Sequence, residues 1–120
     1  MIALVFPGQG SQRPGMGAAW QDHPSWSVVT RLGEETGRDL AELLVDADAD
    51  TLKRTSNAQP ATFAFSLMVL DAARRSGLPE PGSAGGVVAV AGHSLGEYTA
   101  LVAAGALGEA EGAALVAQRA

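Results

Sequence analysis

The sequence predicts an α/β fold, a parallel sheet flanked by helices. Two short apolar runs, Ile2 to Phe6 and Val87 to Ala91, have the length and β-branching of buried strands. Each is closed by a glycine-containing turn, Pro7-Gly8 after the first and Gly92-His93-Ser94-Leu95-Gly96 after the second. The segments between and beyond them carry helical spacing and helix stop signals.

Ile2 to Phe6 contains no polar residue, so both of its faces are expected to be buried, as in a central strand of a parallel sheet. From Met16 to Thr55 helical fragments alternate with breakers. Pro24-Ser25 opens a helix through Val28, Val29 and Leu32, Gly37 stops it, and Leu40, Leu43 and Leu44 suggest another. Asn57 is placed to cap a longer helix with Pro60 in its first turn. Phe63, Phe65, Leu67, Met68 and Leu70 point all round that helix, which should therefore be buried against the sheet until Asp71, Arg74 and Arg75 reach water. Leu78 to Gly86, rich in proline and glycine, reads as a loop. Glu97 to Ala104, halted by Gly105, and Glu109 to Arg119 read as the last two helices.

A chain of 120 residues suits one domain or part of one. Its 47% hydrophobic and 18% charged residues are ordinary for a folded protein and far from the signature of disorder. The net charge of −5 argues against a nucleic-acid footprint. No apolar stretch reaches the roughly 20 residues of a membrane-spanning helix, and the start of the chain lacks the pattern of a signal peptide. The absence of cysteine removes disulfides, thiolate metal sites and a cysteine nucleophile, and fits a cytoplasmic protein.

The chemistry concentrates in Gly92 to Gly96, which fits the G-x-S-x-G nucleophile elbow and has the strand before it and the helix after it that the motif requires. Small residues around Ser94 permit a sharp turn that lifts its hydroxyl above a helix N-terminus, where the backbone N–H of Leu95 can bind an oxyanion. The competing interpretation is a glycine-rich turn holding an ordinary serine. Phe6-Pro7-Gly8-Gln9-Gly10-Ser11-Gln12 follows the first strand, which in a parallel sheet puts it on the same edge as Ser94. The N–H of Gln9, between two glycines, is the candidate second oxyanion donor. A phosphate-binding loop is the weaker alternative, because neither the third glycine of G-x-G-x-x-G nor the G-K-[ST] ending is present.

FPGQGSQ at positions 6 to 12, NAQPA at 57 to 61 and GHSLGEYTALVAAG at 92 to 105 stand in the order and spacing seen in malonyl-CoA:acyl-carrier-protein transacylases. The same motifs mark the acyltransferase domains of fatty-acid and polyketide synthases. The chain resembles that family from end to end. The resemblance implies an α/β-hydrolase-like parallel sheet flanked by helices, with residues 1–120 forming the N-terminal part of the large acyltransferase subdomain and lacking the ferredoxin-like small subdomain. It implies Ser94 as the acylated nucleophile, Gln9 and Leu95 as backbone oxyanion donors, and Gln59 and His93 as residues lining the site. An ungapped match places Arg119 on the arginine that pairs with the malonyl carboxylate, a task suited to a bidentate, permanently charged guanidinium.

The implied reaction is transfer of a malonyl group from malonyl-CoA to the phosphopantetheine thiol of an acyl carrier protein, with no metal and no resident cofactor. A serine hydroxyl needs a base, and histidine is the usual one. His93 adjoins Ser94 and points away from it, and His23 reads as a surface residue. In the family the catalytic histidine lies farther along, so the chain is expected to be one piece of a longer or split enzyme, completed by a C-terminal polypeptide. A serine hydrolase and a non-catalytic carrier-binding fragment are the alternatives. The basic docking patch for carrier protein and coenzyme A is expected largely in the part of the family's sequence beyond this chain, or around Arg54, Arg74 and Arg75.

Overall fold

The computed structural model describes residues 1–83 and 85–120; position 84, within the expected loop Leu78 to Gly86, lies outside the described residues. Strands β1 (Ile2–Phe6) and β2 (Val87–Gly92) pair in parallel, Leu4 opposite Val90 and Phe6 opposite Gly92. Helices α1 (Ser27–Thr36), α2 (Leu40–Val45), α3 (Ala49–Leu52) and α4 (Thr55–Arg75) form the crossover, and α5 (Gly96–Ala103) and α6 (Glu109–Arg119) follow. The α/β expectation holds.

The stop and start signals act through backbone hydrogen bonds. Gly37 adopts φ 68° and returns its N–H to the carbonyl of Gly33, ending α1. Asp39 caps α2 by accepting from the N–H of Glu42 at 3.0 Å, and Asp48 caps α3 by accepting from Thr51 at 2.7 Å. The four-residue α3 is too short to leave an apolar period, and the sequence pattern does not reveal it.

The start of α4 departs from expectation. The helix begins at Thr55, and Pro60 falls inside it. Proline has no N–H, so the carbonyl of Ser56, four residues earlier, loses its helical donor. Arg38 fills the gap: its Nη1 donates to Ser56 O at 3.0 Å and its Nη2 to Asn57 Oδ1 at 2.6 Å. Asn57 in turn donates from Nδ2 to Thr51 O at 2.9 Å. It ties α4 to the segments around it and is no cap.

The core lies between α4 and its neighbours. Val28, Val29 and Leu32 of α1, Leu40, Leu43 and Leu44 of α2, and Phe63, Leu67 and Met68 of α4 are all buried in it. Each such side chain contributes about 1.5–3 kcal/mol through removal from water. Phe6, Leu95 and Val116 extend the same cluster to the sheet, α5 and α6.

One expectation for β1 is overturned. Leu4, Phe6 and Val90 pack toward the core, whereas Ala3, Val5, Ala89 and Ala91 are exposed, Val5 by 76%. The strand is apolar on both faces, yet among the described residues helices cover only one. Among the described residues the sheet has two strands, so β1 pairs on one side only, where a central strand would pair on both. No helix among the described residues is long and apolar enough to cross a membrane.

Candidate active site

The register aligns the carboxyl ends of both strands. Phe6 lies opposite Gly92, and the N–H of His93 donates to Phe6 O at 3.1 Å. From there β2 turns directly into α5, with Gly96 N–H donating to His93 O at 2.9 Å and Glu97 N–H to Ser94 O at 3.0 Å. Ser94 sits at φ 52°, the one non-glycine residue of positive φ among those described. That conformation costs an L-residue roughly 1–2 kcal/mol and persists where the surroundings enforce it.

Three glycines enforce it. A Cβ at Gly92 would run into the backbone of Gly96 and Glu97, one at Gly96 into the carbonyl of Phe6, and one at Gly8 into the carbonyl of His93. The elbow is therefore pressed against the loop that follows β1, and Gln9 is brought to the Ser94 edge of the sheet.

Ser94 is exposed, and its Oγ accepts a hydrogen bond from Arg119 Nη2 at 2.5 Å. Arg119, in the last turn of α6, also lies 5.5 Å from the centre of the Tyr98 ring, a cation–π distance. The fold thus joins two positions that the sequence separates, and puts a permanent positive charge at the serine hydroxyl. Leu95 buries its side chain completely while its N–H stands at the head of α5. Neither this N–H nor that of Gln9 donates to another group among the described residues.

Gln9 and Gln59 meet through their side chains, Gln59 Nε2 donating to Gln9 Oε1 at 3.4 Å. Gln9 Nε2 donates to Thr55 Oγ1 at 3.1 Å. Gln59 is buried, and its Oε1 has no protein partner among the described residues. Thr55 escaped the sequence patterns because a threonine at a helix start looks like an ordinary first-turn residue.

His93 is exposed, its ring Nδ1 lies against Gly8, and it makes no hydrogen bond to Ser94 among the described residues. His23 accepts from the N–H of Ser25 at 3.0 Å through Nδ1 and packs edge-on against Trp20, a structural cap on the turn before α1. The basic patch is corrected by the fold. Arg54 precedes α4 while Arg74 and Arg75 end it, roughly 30 Å away at 1.5 Å per residue. Arg74 pairs with Glu80 and Arg75 with Asp71.

Residues 3–120 match the family model described as the acyl transferase domain. The chain belongs to this family. It is 44% identical over 108 residues to the malonyl CoA-acyl carrier protein transacylase of Bacillus subtilis strain 168, covering 88% of this chain and 32% of that protein. Among solved structures it resembles the acyl-carrier-protein S-malonyltransferase of Burkholderia pseudomallei 1710b with TM-score 0.87 and 40% identity, over 98% of this chain and 36% of that one. A malonyl-transacylase in complex with its type II PKS acyl-carrier protein is similar with TM-score 0.83 and 35% identity, over 98% of this chain and 37% of that one. The acyl transferase chain therefore spans about a third of the length of the relatives it matches.

Proposed function

We propose that this acyl transferase chain carries the nucleophile, the oxyanion donors and the carboxylate-binding arginine of a malonyl-CoA:acyl-carrier-protein transacylase. The observation that carries the reading is the 2.5 Å contact of Arg119 with the hydroxyl of Ser94, at a strained elbow opposite Gln9. An arginine there gives the malonyl carboxylate a cation within reach of the acylated oxygen.

In the first half-reaction Ser94 Oγ attacks the thioester carbonyl of malonyl-CoA and its proton passes to a base. The negative oxygen is held by the N–H groups of Gln9 and Leu95. Collapse breaks the C–S bond, releases the coenzyme A thiol and leaves a malonyl ester on Ser94. The thiol of a carrier protein's phosphopantetheine then takes the acyl group by the reverse chemistry. His23 and His93 are the only histidines, and neither is hydrogen-bonded to Ser94. The base belongs, in this reading, to a polypeptide corresponding to the part of the relatives that this chain does not span. Gln59 and His93 line the site, and no metal or resident cofactor takes part. The carrier protein as partner is supported by the related complex.

Without a positioned base, Ser94 can lose its proton only to solvent, a step the missing base would otherwise speed. Slow stoichiometric acylation is therefore expected from the chain alone, read as the intact mass after incubation with malonyl-CoA. The adduct should appear on the parent and be absent from Ser94→Ala. Arg119→Ala should slow malonyl transfer more than acetyl transfer from the corresponding thioester. An adduct that survives in Ser94→Ala, or equal losses on both donors in Arg119→Ala, would remove the corresponding residue from its role. Hydrolysis of the thioester without carrier protein at the rate of transfer would point to a hydrolase.

A further inference from the structure

Gln9 stands between Gly8 and Gly10, the latter at φ 117°, so the backbone by itself leaves its peptide free to rotate. One hydrogen bond of the loop acts on that peptide: Ser11 Oγ donates at 3.1 Å to Gly8 O, which shares a planar peptide unit with the Gln9 N–H. Gly10 N–H donates to Gln12 Oε1 at 2.8 Å and holds the next peptide.

The side chain supplies a second restraint, from α4. Both ends of the Gln9 amide are engaged by α4: Nε2 donates to Thr55 Oγ1 at 3.1 Å, and Oε1 accepts from Gln59 Nε2 at 3.4 Å. Thr55 and Gln59 are four residues apart and so lie on one face of the helix. That face offers an acceptor and a donor one turn apart, matching the donor and acceptor of one primary amide. The helix behind them is long and mostly buried, with Arg38 bound to the carbonyl next to Thr55. We propose that Thr55 is a positioning residue: it anchors the side chain of Gln9 to α4 and thereby fixes the direction of the Gln9 backbone N–H. Gln59 is the second point of the same anchor. The catalytic consequence rests on the reading of that N–H as an oxyanion donor; the anchoring itself does not.

Thr55→Val keeps the branched shape and removes the hydroxyl, and Thr55→Ser keeps the hydroxyl. Thr55 is exposed at the start of α4, so both variants should fold. Backbone ¹⁵N order parameters of the 120-residue chain provide the direct measurement. In Thr55→Val the value at Gln9 should fall from the rigid range near ~0.85 toward below ~0.6, with the amides of α4 unchanged, and Thr55→Ser should restore it. Ser94 acylation in Thr55→Val should slow by on the order of tenfold, less than the 10²–10³-fold cost of deleting an oxyanion donor. An unchanged Gln9 in Thr55→Val, or loosening spread along α4, overturns the proposal. A loosened Gln9 with unchanged acylation sustains the anchor and removes Gln9 from the oxyanion role.

Discussion

Gly8, Gly92 and Gly96 each approach backbone atoms, which cannot swing aside as a side chain can. A methyl group at Gly96 would have to push the carbonyl of Phe6 out of the β1–β2 junction. Gly10 has the opposite situation, with positive φ and open space around the site of a Cβ. Gly96→Ala is therefore expected to cost more than about 3 kcal/mol in urea unfolding, and Gly10→Ala about 1–2 kcal/mol. Comparable losses would mean that the elbow relaxes more easily than its geometry indicates. At this scale the sequence was informative where a residue type is forced: the elbow glycines and serine could be read directly, because few other residues fit that turn. Thr55 and Arg38 could not be read, since their roles depend on partners 46 and 18 residues away in the chain.

Among the elements, α4 carries the most. It supplies Phe63, Leu67 and Met68 to the core, and its first turns hold Gln9. Its N-terminal end depends on Arg38, whose fork satisfies the carbonyl left open by Pro60 and the amide of Asn57. Arg38→Met should destabilise the chain by about 1–2 kcal/mol, the range for charge-assisted bonds to partly exposed groups. Arg38→Lys should recover only part, because an ammonium cannot span both acceptors in fork geometry. Calorimetric or denaturant unfolding of the pair tests this, and full recovery by lysine would dismiss the bidentate role. The misplacement of Asn57 as a cap has the same origin. Proline's preference for the first turn and asparagine's for the cap are local tendencies, and here a tertiary contact from Arg38 overrides both.

For the whole molecule, the α/β class and the shared edge of the two strands were legible from the apolar runs and their glycine turns. The coverage of the sheet was not, because a strand apolar on both faces signals what it is suited to contact, and among the described residues helices lie on one side only. Val5 and Val88 are 76% and 62% exposed. An open two-stranded edge with such residues is a template for association. Val5→Lys together with Val88→Glu should lower the sedimentation-derived mass at high protein concentration without lowering the unfolding midpoint by more than a few degrees. If the parent is monomeric throughout, the exposed face is not a contact surface between copies.

The contact between Gly8 and the elbow joins chain segments that lie on opposite sides of the whole helical crossover. Such pairings are slow to form, because the closure entropy of the intervening chain must be overcome before the contact contributes. The strained geometry of Ser94 depends on β1 having found β2, so the elbow is completed only with this long-range pairing. During synthesis β1 would leave the ribosome before the helical crossover and wait, unpaired, until β2 had emerged. Reactivity at Ser94 then reports on whether the two strands have paired.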